Sequence, residues 1–298
     1  MSDWGKGVIN DIGWGQGANN DIGWGSIYAD SNSGLTLLSG SGFEGFLNKF
    51  SGASLGLSLD KLDKNYTGFA IKVRRSSNND ELDIGFVDGV LDTASLLTFV
   101  GAGDAFVTII YDQVGSNNMT QTTANLQGQI VSNGEVILIG GKPCIIRSAN
   151  SNGGYISTFA PNDGVAVKSM FYVGRNINVG RRTGMLGSNT GGQDYVLLVE
   201  GGSTATIFDS NVVITENKLN GVSTTFTNRD DAATKLEEQF LLYREIEFSF
   251  DDNVLGLGFR KINPSAFGMF TFQELVIFEN TDDAVAKENN INERYNIY

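Results

Sequence analysis

The sequence contains no histidine, and it has one cysteine and three prolines among 298 residues. Without histidine, it can form no Ser-His or Cys-His nucleophile pair and no His-ligated zinc, copper or haem site. A single thiol, Cys144, excludes an intrachain disulfide and a CxxC site, and its apolar neighbours Pro143 and Ile145 indicate a small core residue. We therefore expect no cofactor and no metal site.

Basic residues are also scarce, with 21 Lys and Arg against 34 Asp and Glu, for a net charge of −13. This balance argues against non-specific nucleic-acid binding and against docking to an anionic membrane surface. The sequence has no long apolar run of the kind that spans a bilayer. The first residues, Met1-Ser2-Asp3-Trp4, lack the pattern of a secretory signal. We expect assembly in a cytoplasm, with no nucleic-acid or membrane partner.

Glycine is abundant, at 38 residues, and much of the N-terminus is an internal repeat with a period of ten. Residues 4–13 read WGKGVINDIG, residues 14–23 read WGQGANNDIG, and a third copy begins at Trp24. All three tryptophans of the protein stand at the same phase of this repeat.

Each repeat has too few apolar residues to form a core, yet it carries one Trp and often an Ile, which bury large apolar areas. Its glycines make the free chain costly to order. We predict that residues 1–28 form an extended arm that docks on another protein or on sister copies. The alternatives are that the arm caps its own domain or stays disordered. The predicted anchoring residues are Trp4, Gly5, Ile12, Trp14, Gly15, Ile22, Trp24 and Gly25.

After a linker or first strand at residues 29–45, the pattern at residues 46–298 changes to short apolar runs separated by turn residues. Asn133-Gly134 between two β-prone runs predicts a hairpin over residues 130–137. Further strands are predicted at residues 106–111, 170–173, 195–199, 206–208, 240–243, 246–250, 254–259 and 270–278. Helices are predicted at residues 93–100, capped by Asp92, and at about 283–296, capped by Thr281 or Asp282. This pattern is typical of an antiparallel sandwich or jelly roll.

Three blocks of this domain resemble the concanavalin A-like domain of fungal α-L-arabinofuranosidase B: residues 66–77 with 83–86, residues 91–101, and residues 106–113. The same blocks recur in structural proteins of tailed phages, including phages of Bacteroidetes, and the Trp-Gly arm is similar to the N-terminus of such virion proteins. The resemblance implies an all-β, concanavalin A-like jelly-roll sandwich with a few short helices, preceded by the extended Gly/Trp-repeat arm.

The resemblance to phage proteins predicts a virion structural protein, a head or tail fibre subunit located in the virion. Its arm would anchor it to capsid, portal or tail components, and its lectin-like domain would serve adhesion to a host-surface glycan or decoration of the particle. We expect a homo-oligomer, and a trimer by analogy with other fibres. The alternative is an arabinofuranosidase-like glycoside hydrolase on the same fold.

Retaining glycoside hydrolysis needs two carboxyl groups about 5–5.5 Å apart. The region that the resemblance aligns with the nucleophile, residues 182–188, contains no acid. The adjacent cysteine pair of that family's pocket is impossible here, and no tryptophan lies outside the arm to stack on a sugar. We therefore predict that the chain is not an enzyme and has no catalytic residues.

The block Tyr111-Asp112-Gln113 suggests a catalytic role for Asp112, but an Asp at a strand end commonly accepts backbone hydrogen bonds in a turn. Arg74 and Arg75 have the chemistry to bind a carboxylate, and one of them is expected to pair with Asp80, Glu81 or Asp83 across a turn. We predict that all five residues, Arg74, Arg75, Tyr111, Asp112 and Gln113, belong to a structural motif.

Overall fold

The computed structural model describes residues 43–147, 154–157, 167–177, 183–188, 195–207, 212–248, 255–257 and 270–298. By its internal contacts the chain divides into two units, residues 1–44 and 45–298. The elements below belong to the second unit.

The first half of this unit contains strands β1 Ala53–Ser58, β2 Ile71–Arg75, β3 Glu81–Ile84, β4 Phe86–Val87, β5 Val90–Leu91, β6 Ala105–Ile110, β7 Met119–Thr120, β8 Gln129–Ser132, β9 Glu135–Val136, β10 Leu138–Ile139, β11 Lys142–Pro143 and β12 Ile145–Arg147. The second half contains β13 Tyr155–Ile156, β14 Ser169–Gly174, β15 Thr183–Ser188, β16 Tyr195–Val199, β17 Val212–Leu219, β18 Val222–Ser223, β19 Phe240–Phe248, β20 Leu255–Leu257, β21 Phe270–Phe272 and β22 Glu274–Phe278. The helices are α1 Phe46–Lys49, α2 Thr93–Val100, α3 Arg229–Lys235 and α4 Ala284–Tyr295, with a 3₁₀ turn at Ala124–Leu126.

The fold is an all-β sandwich of the jelly-roll type. A six-stranded sheet has the order β1-β22-β14-β19-β17-β18, and a twelve-stranded sheet has the order β16-β15-β20-β13-β7-β6-β8-β12-β21, with β2, β3 and β9 attached beside it. At the centre of the smaller sheet, β14 pairs antiparallel with β22 on one side and with β19 on the other. Two small hairpins, β4–β5 and β10–β11, stand outside both sheets.

The smaller sheet is covered on both faces, which explains why its central strands are apolar throughout. On β14, Met170 and Tyr172 belong to the main core, whereas Phe171 and Val173 belong to a second cluster. That second cluster includes Ile291 of α4. Because successive strand residues point to opposite faces, a strand buried on both sides reads as a continuous apolar run.

The predicted hairpin is confirmed, because β8 and β9 pair around Asn133 and Gly134, whose φ angles of 50° and 79° suit the two central positions of a type I′ turn. The two strands predicted at 240–243 and 246–250 form one strand, β19, because Arg244 finds a partner in Asn217 of β17, at 2.7 Å, and needs no break in the strand.

The strand predicted at residues 270–278 is instead two strands in different sheets. β21 pairs with β12 in the large sheet, and β22 pairs with β1 and β14 in the small one. Gln273, between them, donates from Nε2 to the carbonyl of Ile139 at 3.0 Å. The chain thus crosses between the layers in the middle of an apolar run.

The strand predicted at residues 206–208 is wrong for its described part, since residues 206 and 207 are in no strand. The start of α3 binds this segment instead: Arg229 donates from its backbone nitrogen to Ala205 O at 3.0 Å and from Nε to Thr206 O at 2.8 Å.

Both predicted helices are confirmed as α2 and α4. Asp92 caps α2 by accepting from Ser95 N at 3.0 Å. The cap of α4 is Asp283, in a left-handed conformation and without a side-chain cap bond, rather than Thr281 or Asp282. The sequence analysis also missed α1 and α3, which are short, although Asn228 caps α3 with a bond from Asp231 N at 2.9 Å.

Candidate functional site

The predicted anchoring residues of the arm lie outside the described residues. These are Trp4, Gly5, Ile12, Trp14, Gly15, Ile22, Trp24 and Gly25. Their docking remains a prediction. The other predicted residues, Arg74, Arg75, Tyr111, Asp112 and Gln113, are all in the described part.

Asp112 is 2% exposed and its carboxylate accepts four backbone N–H groups. Oδ1 accepts from Gly56 and Val114, each at 3.0 Å, and Oδ2 accepts from Gly115 and Asn117, each at 3.1 Å. A carboxylate with this many donors is occupied in holding the turn after β6 against β1, so it is poorly placed for chemistry.

The side chain of Gln113 holds the segment that follows β1. Its Oε1 accepts from Leu62 N at 2.7 Å, and its Nε2 donates to the carbonyls of Ser58 and Asp60 at 3.0 Å. Gln113 therefore fixes the backbone on both sides of Asp60.

The two arginines stabilise the turn between β2 and β3. Arg74 donates from Nε to Gln127 Oε1 at 2.8 Å, and its guanidinium lies 5.1 Å from the centre of the Phe106 ring. Arg75 pairs with Asp80, one of the three acids that the sequence offered, and its guanidinium lies 4.8 Å from the centre of the Phe99 ring.

An open cavity of about 700 Å³ lies among the β4–β5 hairpin, α2, β9 and the β10–β11 hairpin. Its lining is mostly apolar and includes Val90, Leu97 and Leu138. Two charged side chains, Glu135 and Lys142, are also part of the lining, and Glu135 is exposed. Such a volume and such a mixture of apolar walls with a few polar groups are typical of a small-molecule site.

Asp60 contacts two lining residues of this cavity. Its Oδ2 lies 3.4 Å from Lys142 Nζ, and its backbone forms an isolated β-bridge with Val90. Asp60 is 5% exposed. Burial raises the pKa of its carboxyl above the ordinary value of 3.8, and the charges of Lys142 and Arg294 oppose this shift only in part.

Glu274 stands beside Asp60 in a buried charged cluster, but all its bonds are structural. Arg294 of α4 donates to both of its oxygens, from NH1 at 2.7 Å and from NH2 at 2.6 Å. Ser58 and Tyr295 donate to Oε2 at 2.8 and 3.2 Å. Glu274 holds α4 against the small sheet through these bonds. Because it has no exposed surface, it cannot reach a ligand.

The sequence analysis missed this cluster, because its members come from the loop after β1, from β11, from β22 and from α4. One signal was available: an acidic residue at the start of a strand that is otherwise Leu-Val-Ile-Phe. A charge in such a run is rarely buried unless it is paired.

Within the residues that the structure describes, no three Asp, Glu or Cys side chains are grouped in a way that could hold a metal ion. None of the helices in these same parts of the chain is long and apolar enough to cross a membrane.

No family model matches the chain, and no curated protein matches it significantly. Among solved structures, it is similar to a mutant GH54 α-L-arabinofuranosidase soaked with 4-nitrophenyl α-L-arabinofuranoside, with 15% identity, a TM-score of 0.48 and 80% of this chain covered. An arabinofuranosidase complexed with arabinofuranosyl-α-1,2-xylobiose gives 14% identity, a TM-score of 0.45 and the same coverage. The chain spans 62% of the length of each of these enzyme chains.

The prediction that the chain is not an enzyme is contradicted by this comparison, because the similar structures are arabinofuranosidases. At such identities the similarity relates to the fold alone. The region where the nucleophile was expected includes β15, and this strand has no acid in its sequence.

Proposed function

We propose that the chain is a carbohydrate-active protein of the glycoside hydrolase class, acting on arabinofuranoside-like glycosides at the cavity that Glu135 and Lys142 line. The three sequence blocks that resemble arabinofuranosidase B lie in this sandwich, and α2, which belongs to the second block, forms one wall of the cavity.

The observation that carries the proposal is a pair of carboxyl groups in unlike environments: Glu135 lines the cavity, and Asp60 contacts its lining residues Lys142 and Val90. Asp60 is buried and its pKa is raised, so it is suited to protonate the oxygen of a leaving group. Glu135 is exposed in the lining and is suited to the second carboxylate role. Glycosidases divide their acid and base roles between two carboxyl groups in just this way. Since β15 has no acid, this proposal takes one group from the cavity lining and the other from Asp60 beside it.

The test is hydrolysis of 4-nitrophenyl α-L-arabinofuranoside alongside a panel of other aryl glycosides, with the wild type and three variants. We expect Asp60→Asn and Glu135→Gln each to lower turnover by about 10²-fold or more, the loss typical of removing a general acid or base. Asp88→Asn is the control, because Asp88 is an exposed acid in the β4–β5 turn. No turnover above the uncatalysed rate, or equal turnover in all variants, would contradict the proposal.

A second candidate function follows from the decapeptide repeat, which a hydrolase domain does not need. In this proposal the arm anchors the protein to capsid, portal or tail components of a virion, as a homo-oligomeric fibre subunit, with a trimer as the expected oligomer. The domain would then engage a host-surface glycan. The three tryptophans are evenly spaced, and this spacing favours a repeated docking role for them over a chance arrangement.

Two changes to the arm test this second function: deletion of residues 1–28, and replacement of Trp4, Trp14 and Trp24 by Ala in the full chain. Both proteins should keep the circular dichroism of the domain but lose incorporation into particles and self-association. If the altered chains still assemble, the arm is not the anchor.

A further inference from the structure

Four aromatic side chains gather on the outside of the sandwich, at the end of β2, β3 and β6. The ring centres of Phe69 and Tyr111 are 6.2 Å apart, and those of Tyr66 and Phe86 are 6.3 Å apart. The two pairs adjoin, because the Tyr66 hydroxyl donates to the carbonyl oxygen of Phe69 at 2.9 Å. These four residues are called the aromatic platform below.

Phe69 is the exposed ring of the platform, whereas Tyr66, Phe86 and Tyr111 are half-buried and Phe86 packs against the main core. The Phe69 side chain is 45% exposed, which is unusual for a phenylalanine in an ordered part of a fold. The ring of Tyr66 lies against Gly68, where a Cβ atom would collide with its hydroxyl. A Cβ on Gly85 would be 3.7 Å from the Phe69 ring, so this glycine also lies against the platform. The rings are thus held in position before any ligand arrives.

A carboxylate forms the rim of the platform. Asp83 Oδ1 accepts from the Tyr111 hydroxyl at 2.6 Å and lies 3.7 Å from Lys72 Nζ. Both contacts involve Oδ1, so among the described residues Oδ2 is left to accept a hydrogen bond from a ligand. Exposed Glu81 lies two residues away on the same strand, and therefore on the same side.

We propose that the aromatic platform binds a neutral sugar ring. The apolar C–H face of a sugar would stack on exposed Phe69, with the Tyr111 ring, tilted by 49° to that of Phe69, at its side, while a hydroxyl group at its edge would donate to Asp83 Oδ2. Neutral hydroxyl groups suit a carboxylate rim, whereas an acidic polymer would be repelled by that rim and by the net charge of −13. The platform is a site separate from the cavity, and the inference does not depend on catalysis there.

The experiment is affinity electrophoresis of the full chain in gels that contain arabinan, xylan or dextran as neutral polymers, or alginate as an acidic one. The wild type should be retarded by at least one neutral polymer and not by alginate. Phe69→Ala should weaken this binding about tenfold, because exposed aromatic anchors carry much of the energy of small binding sites. Asp83→Asn, which keeps an acceptor but removes the charge, should weaken it less.

Leu82→Ala is the matched control: Leu82 is 39% exposed, lies next to Asp83 and points to the other side of β3. It should bind like the wild type. Retardation by no neutral polymer, equal retardation by alginate, or wild-type binding by Phe69→Ala would each overturn the inference, as would binding of a protein in place of a sugar. Asp60→Asn, which changes the cavity only, should lose turnover of the aryl glycoside but keep the wild-type retardation, so failure of the proposed hydrolase and failure of the platform are distinguishable.

Discussion

Replacing Asp112 by Ala removes the acceptor of four backbone N–H groups. The donor of Gly56 lies in a buried strand, where no water can replace the carboxylate, and an unsatisfied buried donor costs about 1–3 kcal/mol. The donors of Val114, Gly115 and Asn117 lie in a turn with solvent access, so water recovers much of their loss. We expect Asp112→Ala to lower the free energy of unfolding by about 3–5 kcal/mol, since hydrogen bonds to charged acceptors are the stronger ones.

The assay is urea unfolding followed by circular dichroism, because the tryptophans all lie in the arm and report poorly on the domain. Asp112→Asn, which keeps one oxygen acceptor, should lose about half as much as Asp112→Ala. Asp104→Ala is the control, because Asp104 accepts one backbone N–H group, from Asn133 at 2.9 Å near the surface. If Asp112→Ala is no more destabilised than Asp104→Ala, the carboxylate does not hold the turn as argued.

Three further predictions concern buried groups. Glu274→Met and Arg294→Met should each lower the free energy of unfolding by about 3–5 kcal/mol, and the double variant with both substitutions should lose less than the two losses added, as a double-mutant cycle in urea would show; full additivity would contradict this. The pKa of Glu288 is raised by burial, so the folded state holds its proton more strongly than the unfolded state does. Stability should therefore fall as pH rises from the ordinary pKa of 4.5 through the raised one, and Glu288→Gln should reduce this fall in thermal melts across that range; identical profiles would contradict it. Burial raises the pKa of Cys144 to about 12, so iodoacetamide at neutral pH should label it only in denaturant, and rapid labelling of the native protein would show that it is accessible.

Local chemistry allowed much of the fold to be predicted. The turn at Asn133-Gly134 needs two residues that tolerate positive φ, and Asp92 needs only the N–H of Ser95. The turn and the helix cap both depend on residues that are neighbours in sequence, so both can be predicted from a single sequence. The crossing at Gln273 could not be predicted, because an apolar run looks the same whether it lies in one sheet or passes between two.

The cavity and its charged cluster depend on contacts between distant parts of the chain. Asp60 and Lys142 are 82 residues apart, and the pair exists only once β10 and β11 are placed beside the loop after β1. Nothing near Asp60 in sequence distinguishes it from the other acids in turns. The aromatic platform was equally hidden, since its residues lie in three separate segments and each is ordinary for a β-sandwich.

The block Tyr111-Asp112-Gln113 joins the two proposed sites. Tyr111 is a member of the aromatic platform, and Gln113 holds the backbone on both sides of Asp60 beside the cavity. Asp112, between them, fixes the turn from which both side chains extend. A variant that loosens this turn without unfolding the domain, such as Asp112→Asn, should therefore weaken sugar retardation and turnover together. Asp60→Asn should lower turnover and leave sugar retardation intact. If Asp112→Asn affects neither, the turn is a stabilising element only, and the two sites are positioned independently of it.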